Sequence, residues 1–581
     1  MVKVSIIGKG NFGSKIENAI RNNVEFVEPD DADWIVIATP NDLHYEHVEK
    51  WLIKRKNVFC EKPLTLTEKT SKGLFFLADF FGVKLYVDDV LSWHDNLNID
   101  TGGVVDFKFH KYGSFNANVI DNLAYHHFYL WVNSNDIEID KIYNIKNYNN
   151  ERIEFSISLK DGTCANFDYN IKSENYFHTI EDGWDIINVN PNNNPLKDML
   201  LKCFDGSIDF EKNRKLTLNA TRLCEAVKKE VYPKVLVVGG GIFGTTAATA
   251  LTTSGFNVTL HEELDSIMKC ASNINQYRLH RGYHYPRSKS TAQECLDGLK
   301  SFKRKYGDSV VNGDGVNHFY AISSRDSLIS GEDYVKFVKE MGLDYNICEP
   351  FLGTDLTVEV DEELFNKDKL KTLTTQKMEN TGVDIVLNKK TTEDDFDDYD
   401  YIVIATYAKI NDLLDDPNRY QYEVVEKPVV KLPEQYKNKS VVVMDGPFMC
   451  LDPYKNGYHV LGHVKHAIHS TNVGDYPMVL NKDIVGYINN GVIHNPKITK
   501  IKKFIDAGME FFEDFDKLEH VGSMFTVRTV LAHRDHDDAR PTIVTQEAHN
   551  VYTIFSGKIG TCVQAANELV RRLQPKYGEA A

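Results

Sequence analysis

Between Lys234 and Glu262 the chain reads KVLVVGGGIFGTTAATALTTSGFNVTLHE. The apolar run Val235 to Val238 has strand character and enters Gly239-Gly240-Gly241-Ile242-Phe243-Gly244. A helix-compatible Thr/Ala stretch follows, and a second strand, Asn257 to Leu260, ends on His261-Glu262-Glu263. Strand, glycine turn, helix, strand and terminal acid in this order make a dinucleotide-binding βαβ unit. Gly239 permits the tight turn, Gly241 lets the backbone approach a pyrophosphate, and Gly244 lets helix and strand pack closely. The helix N-terminus presents free N–H groups to the phosphates. Glu262 is placed for the ribose hydroxyls, with Ile242, Phe243 and Glu263 beside it in the same site. Such a unit commonly opens a chain, and here more than two hundred residues precede it.

A chain of 581 residues exceeds one ordinary hydrophobic core, so two or more domains are expected. No stretch is long and apolar enough to span a bilayer, and MVKVSIIGKG runs into a strand rather than a signal peptide. The expectation is an intracellular, cytoplasmic protein with no membrane partner. Nine cysteines are scattered without C-x-x-C or paired zinc spacing, which reads as reduced thiols and no metal site. A net charge of −17 disfavours nucleic acid and anionic membranes, although local basic patches can still hold anionic substrates.

The glycine turn has an echo at the start of the chain. Lys3 to Ile7 is a short buried-strand pattern that enters Gly8-Lys9-Gly10-Asn11-Phe12-Gly13, with a helix-compatible Ser14 to Arg21 behind it. Trp34 to Ala38 is a further apolar strand. It ends in Thr39-Pro40-Asn41-Asp42-Leu43-His44, and a helical run to Lys56 leads to Val58-Phe59-Cys60-Glu61-Lys62-Pro63.

The segments ATPNDLHYEHV and VFCEKPLTLT, at this separation, resemble the N-terminal domain of the glucose-fructose oxidoreductase and inositol dehydrogenase family, whose members move hydride between NAD(P) and a sugar or polyol hydroxyl. The resemblance implies that Gly8, Gly10, Asn11, Phe12 and Gly13 hold NAD(P). It implies that Thr39, Pro40, Asn41 and His44 line the nicotinamide side, that Glu61 contacts the cofactor, and that Lys62 is the active-site lysine. A lysine at such a strand end can polarise a carbonyl or share a proton with a hydroxyl; outside the resemblance it is a lysine in a surface turn. The family's Asp four residues before a His falls on Asn122 if His126 is the aligned histidine, with Asp121 as the neighbouring substitute. An Asn cannot stabilise an imidazolium as a carboxylate does. His126 also reads as a core histidine in an aromatic helix.

The adenosine half of this first site is shortened. Only residues 22 to 33 lie between the first helix and Trp34. A parallel crossover needs about a dozen residues, so the segment is expected to lack room for a crossover in addition to a strand. Glu28 stands near the spacing of a ribose acid. From about 100 to 187 the pattern changes to strands and turns suited to a largely antiparallel sheet. In the resembled family such a sheet carries substrate and mediates oligomers, which implies a possible homodimer.

Beyond Glu262, the segment Ser272 to Pro286 (SNINQYRLHRGYHYP) is dense in polar, aromatic and basic side chains. It is similar to the loop after the first βαβ unit in FAD-dependent oxidoreductases of the D-amino acid oxidase type, particularly the branch acting on 2-hydroxy acids. By that resemblance Asn275, Gln276 and Arg278, with Leu279, contact the flavin or its phosphates, and His280 positions substrate or removes a proton. Asp400 to Thr406 is the strand closing the nucleotide site. The last strand, Val551 to Phe555, runs into Ser556-Gly557-Lys558-Ile559-Gly560-Thr561, a Gly-x-x-Gly turn able to place donors beside the flavin. Arg528 is the candidate fork for a substrate carboxylate, or an ordinary salt-bridge arginine.

The expected fold class is α/β and α+β: an NAD(P)-binding Rossmann-like domain (1–100, shortened), an antiparallel-sheet substrate or dimerisation domain (101–232), and an FAD-binding Rossmann-like domain with an inserted mixed-sheet substrate subdomain (233–581). The expected function is a bifunctional oxidoreductase acting on a small anionic substrate. FAD-dependent oxidation of a hydroxyl or amine carbon is joined to NAD(P)-dependent exchange at a sugar-like alcohol or ketone, with net epimerisation of a carboxylated sugar as its most specific form. Two alternatives stand beside it: a flavin dehydrogenase or oxidase with a structural N-terminal half, and a dinucleotide-binding scaffold or redox sensor without turnover.

Overall fold

A strand that runs through a glycine turn straight into a helix can join a parallel neighbour only by crossing over, so each such turn commits its segment to a parallel sheet. The computed structural model describes residues 1–94, 97, 104–112, 119–132, 137–148, 150–182, 185–189, 195–311, 315–446, 448–532 and 540–573, and two such sheets lie among them. The first has five parallel strands in the order Glu25–Phe26, Lys3–Ile7, Trp34–Ile37, Asn57–Cys60 and Leu85–Val87. Trp34–Ile37 is buried throughout, as its unbroken apolar run requires of a central strand. The flanking helix Glu68–Phe81 is bounded by ordinary signals: the Thr67 side chain accepts from the Thr70 N–H, and Gly82 closes it in the left-handed region.

The segment 22–33 departs from expectation. It holds both a strand and a crossover, because Glu25–Phe26 is only two residues long and a single turn, Pro29–Asp31, carries the chain past the Lys3–Ile7 strand to Trp34. Glu28, exposed, lies two residues beyond this edge strand, whereas Glu262 directly follows its own strand in the second glycine unit, so the two acids are not at the same level.

The next sheet has six strands, ordered Asp185–Asn188, Lys172–Asp182, Val104–Tyr112, Cys164–Asn170, Arg152–Leu159 and Ile139–Tyr148. Every pair is antiparallel except Val104–Tyr112 with Cys164–Asn170. Its covered face carries Phe107, Phe155, Phe167 and Tyr169, packed with the helices Tyr125–Trp131 and Phe210–Val231 into one core. The latter helix ends two residues before the strand Lys234–Val238 begins.

That strand sits inside the second parallel sheet, ordered Asp384–Val386, Asn257–His261, Lys234–Val238, Tyr401–Ile404, Val551–Phe555 and Ile543–Gln546, with only the last strand antiparallel. A nine-stranded mixed sheet faces it, built on the long pairing of Tyr420–Lys431 with Glu519–Leu531. The two halves of the chain are in contact. Lys377, 5% exposed, pairs with Glu46, Asn150 Nδ2 donates to Gly255 O (3.0 Å), and Asn257 Nδ2 donates to Lys229 O (3.2 Å). No helix among the described residues is long and apolar enough to cross a membrane.

Candidate active sites

The second parallel sheet and the nine-stranded sheet enclose a cavity of about 1070 Å³. The Gly239–Phe243 turn, Glu262 and the Gly557–Ile559 turn all reach it, from strands more than 300 residues apart. The local backbone dictates the glycines. Gly239 lies at φ +104°, and a Cβ on it would stand 2.8 Å from Ala405 O; a Cβ on Gly244 would stand 1.9 Å from Gly239 O. Gly241 precedes the first turn of the helix Ile242–Thr253, where the Ile242 N–H donates to Ser272 Oγ (3.0 Å). Glu262 is held by the Gly240 N–H (2.7 Å) and the Leu264 N–H (2.9 Å), which leaves its remaining lone pairs at the cavity wall.

Of the other side chains expected at the flavin, Glu263, Asn275, Gln276, Arg278 and Thr406 line the cavity, several of them with protein partners of their own. Arg278 is taken up by protein groups. Its side chain is 2% exposed, and its guanidinium meets Asp452 (2.8 Å), Ser440 Oγ (2.7 Å) and Glu362 (3.5 Å). Asn275 accepts from the Tyr277 N–H and donates to Ala271 O and Ser272 O, so it shapes the loop. Gln276 Nε2 donates to Asp452 (3.1 Å), and its Oε1 is buried with no partner among the described residues. Leu279 is buried away from the cavity, as is Thr561; Gly560 packs on Leu279. Glu263 lines the cavity and pairs with Lys409 (2.6 Å). Thr406 lines it with a buried, unpartnered Oγ1.

His280 faces the cavity with Nδ1 3.5 Å from Glu362 Oε1. Burial disfavours the charged form of Glu362, but His280, Arg278 and the Tyr320 hydroxyl outweigh it and hold the carboxyl down at about 2. Glu362 is therefore an anion at every working pH, placed to orient the His280 ring. Arg528 also lines the cavity, although its Nε donates to Glu423 (2.6 Å), its directly opposed cross-strand partner. Lys558 reaches Glu294 (2.5 Å).

The bound group that fits this cavity is a flavin dinucleotide. A cradle closed to any Cβ, a helix start beside it and the orphaned Thr406 and Gln276 oxygens are what such a ligand requires.

The first glycine turn repeats the geometry. Gly8 is at φ +103°, and a Cβ there would stand 2.4 Å from Ala38 O; on Gly13 it would stand 1.9 Å from Gly8 O. Gly10 precedes the helix Asn11–Ile20, which opens with Asn11 and Phe12, and no atom lies within 4 Å of a Cβ built on Gly10. Thr39, with an unpartnered buried Oγ1, and Pro40 and Asn41 end the neighbouring strand. This cradle fits a nicotinamide dinucleotide on the same physical grounds. His44 is fully buried, its Nδ1 2.7 Å from Pro63 O and its Nε2 2.8 Å from Thr39 O. Both ring nitrogens face backbone carbonyls, so His44 ties the two strand-end segments together and offers none to a cofactor.

Lys62, before a cis peptide bond to Pro63, donates to Asn122 O (2.6 Å). Burial, then the Lys62 charge, pushes the His126 pKa far down, so this imidazole is neutral. Asp121 does not serve it as a carboxylate partner. A π-turn over Ile120–Ala124 sets the register here, and Asp121 pairs instead with Lys228 (3.0 Å). Burial raises the Glu61 and Asp88 carboxyls together, and it lowers Lys111 to about 8 with help from the Lys62 charge. Lys111 was not singled out from the sequence; its position in the Val104–Tyr112 strand gave only strand alternation. These groups change protonation near neutrality, the range general acid–base work needs.

Comparison with known proteins separates the two segments. Residues 16–88 match the oxidoreductase family with an NAD-binding Rossmann fold, and residues 234–336 match the family of FAD dependent oxidoreductases. The chain is 31% identical over 114 residues to the FAD-dependent monooxygenase FPY4 of Fusarium mangiferae, covering 20% of this chain and 30% of that protein. It is 37% identical over 95 residues to the FAD-dependent monooxygenase kojA of Aspergillus flavus, covering 16% and 22%. It thus spans less than a third of the length of either curated relative. Among solved structures, glycine oxidase from Geobacillus kaustophilus aligns over 60% of this chain and 97% of its own at 13% identity and a TM-score of 0.45. Two segments of this one enzyme chain thus match oxidoreductase families, residues 16–88 the one with an NAD-binding Rossmann fold and residues 234–336 the FAD dependent oxidoreductases, and FAD and NAD(P) are the cofactors those matches carry.

Proposed function

We propose that the chain is a bifunctional cytoplasmic oxidoreductase that handles one small anionic substrate in two steps. Its C-terminal half oxidises a hydroxyl- or amine-bearing carbon, and its N-terminal half exchanges hydride at a sugar-like alcohol or ketone. When bound, FAD takes up hydride and NAD(P)H delivers it. The chain's own residues do the rest. Glu262 and the Gly239 turn hold the flavin dinucleotide, and His280, backed by Glu362, takes the proton from the substrate hydroxyl or amine. At the other site Lys62 polarises the carbonyl oxygen, with neutral His126 and the lowered Lys111, both of which feel its charge, as the groups that move the proton. In its most specific form the reading is inversion of a hydroxyl-bearing carbon of a carboxylated sugar, each turnover consuming one NAD(P)H and passing the two electrons of the reduced flavin to an external two-electron acceptor, and dimerisation through the six-stranded sheet goes with it. Nine free cysteines support a reducing compartment.

The observation carrying this reading is that both glycine turns are closed to a Cβ by backbone at Gly8, Gly13, Gly239 and Gly244, and the second turn shares its cavity with Glu262 and His280. Lys62→Met is expected to lower NADH- or NADPH-linked turnover of candidate ketones by about a hundredfold or more and to leave the flavin absorbance unchanged. Nicotinamide oxidation that proceeds at the wild-type rate in this variant removes Lys62 from the chemistry. A second reading, a flavin enzyme with a structural N-terminal half, is favoured by the engagement of Asp121 with Lys228. A protein whose flavin is reduced by substrate but which never consumes nicotinamide decides for it.

A further inference from the structure

Gln421, Glu423, Val425 and Lys427 alternate along the strand Tyr420–Lys431, and all four line the flavin-side cavity. The two-residue period of a strand accounts for this, and it sends Glu426 to the opposite face. There Glu426 accepts from His469 (2.8 Å), Ser523 (2.6 Å), Thr499 and the Lys500 N–H (2.8 Å), so the acid next to Lys427 in sequence is unavailable to it. The other lysines and arginines at the wall have partners: Arg278 with Asp452, Arg287 with Asp445, Arg528 with Glu423, Lys409 with Glu263, Lys389 with Asp395 and Lys558 with Glu294, and Arg540 is engaged as well. Exposed Lys390 faces water. Lys427 has no hydrogen bond or ion pair among the described residues.

We propose that Lys427 is the anion anchor of the flavin-side cavity, and that its ligand is a carboxylate of the substrate. This rests on the reading of that cavity as a flavin site with an anionic substrate, and it moves the anchor from Arg528 to a residue that needs a counter-ion. Among the described residues, the acids that face Lys427 already have partners. Asp452, on Met449–Pro453, accepts from Ser440 and Gln276 and pairs with Arg278; Glu423, on its own strand, pairs with Arg528. A cation held in a cavity without a partner is costly, and a ligand oxyanion is the compensation the geometry leaves open. The surroundings fit this. Burial pushes the Lys427 ammonium down to about 8; the Cys450 thiol and Asp452 work against the shift, and Arg528 and Arg540 add to it. A bound carboxylate restores the charged form, so affinity should fall as pH rises through about 8.

The test uses the full-length protein as purified, with acetate, lactate and benzoate as probes and benzamide as the neutral control. Binding is read as a rise in melting temperature, which does not depend on flavin, alongside the visible spectrum. Wild type is expected to be stabilised by at least one of the anions and not by benzamide. Lys427→Met is expected to bind that anion about tenfold or more weakly, the loss of a charge-assisted hydrogen bond, and to lose the fall in affinity through pH 8. It should stay folded, since methionine fills the space without a charge, and Lys427→Arg should keep binding within a few-fold. A wild type that binds none of the anions, or a Lys427→Met protein that binds them as tightly as wild type, overturns the assignment. A protein that takes up no FAD fails the flavin reading instead, and the melting shifts still decide Lys427.

Discussion

Replacing Arg278 with methionine is expected to destabilise the C-terminal half by about 3–5 kcal/mol, the effect of removing one member of a buried ion cluster. The substitution leaves Asp452, fully buried, and Glu362, 4% exposed, without the cation that compensates them. It also removes the contact of the guanidinium with the Tyr320 ring, 5.5 Å from its centroid. Denaturant titration should place this loss in one transition, and adding Asp452→Asn should recover part of it, because the double variant no longer buries that unpaired charge. The same cluster sets an acid limit. Glu362 has its folded pKa depressed to about 2 from an ordinary 4.5, so its stabilising contribution is complete above about pH 4.5 and is lost as pH falls toward 2. Wild type should show this acid limb, and Arg278→Met should show a smaller one.

Gly244→Ala is expected to weaken FAD binding roughly ten- to hundredfold, the cost of overpacking a contact with no slack. The added Cβ would sit 1.9 Å from Gly239 O, a backbone atom that moves only if the helix Ile242–Thr253 moves off its strand, and that displaces the N–H groups facing the pyrophosphate. Gly13→Ala makes the equivalent clash with Gly8 O and should weaken nicotinamide binding by a similar factor. Each variant should leave the other cofactor's affinity unchanged, because the two turns share no atoms. Equilibrium dialysis with FAD and fluorescence titration with NADH measure the two losses separately. Parallel losses of both cofactors in either variant would mean that the two turns are not independent sites.

The features legible in the sequence were those fixed by local backbone geometry. Gly8, Gly13, Gly239 and Gly244 could be read because their neighbours forbid any side chain, and that constraint is written within a few residues. Arg278 could not: its partners Glu362 and Asp452 lie far along the chain, so a basic residue in a flavin-type loop read as a phosphate ligand. Arg528 posed the same problem, because strand pairing sets Glu423 directly opposite it, and nothing local announces that register. His44 belonged to a motif, but its two carbonyl partners appear only when the Thr39 and Pro63 segments fold together. Residues 22–33 were read as too short for a strand and a crossover because a strand of ordinary length was assumed, and two residues at a sheet edge suffice. Lys427 carried no signal, since its meaning lies in the absence of an acid that only the folded cavity can reveal.

The visible absorption spectrum of the protein purified without added cofactor tests the two-site reading most directly. Flavin bands are expected in wild type and in Gly13→Ala, and they should be lost or greatly reduced in Gly244→Ala. A colourless wild type that takes up no FAD, or flavin bands that persist undiminished in Gly244→Ala, would contradict the assignment of the Gly239–Gly244 turn as the flavin cradle.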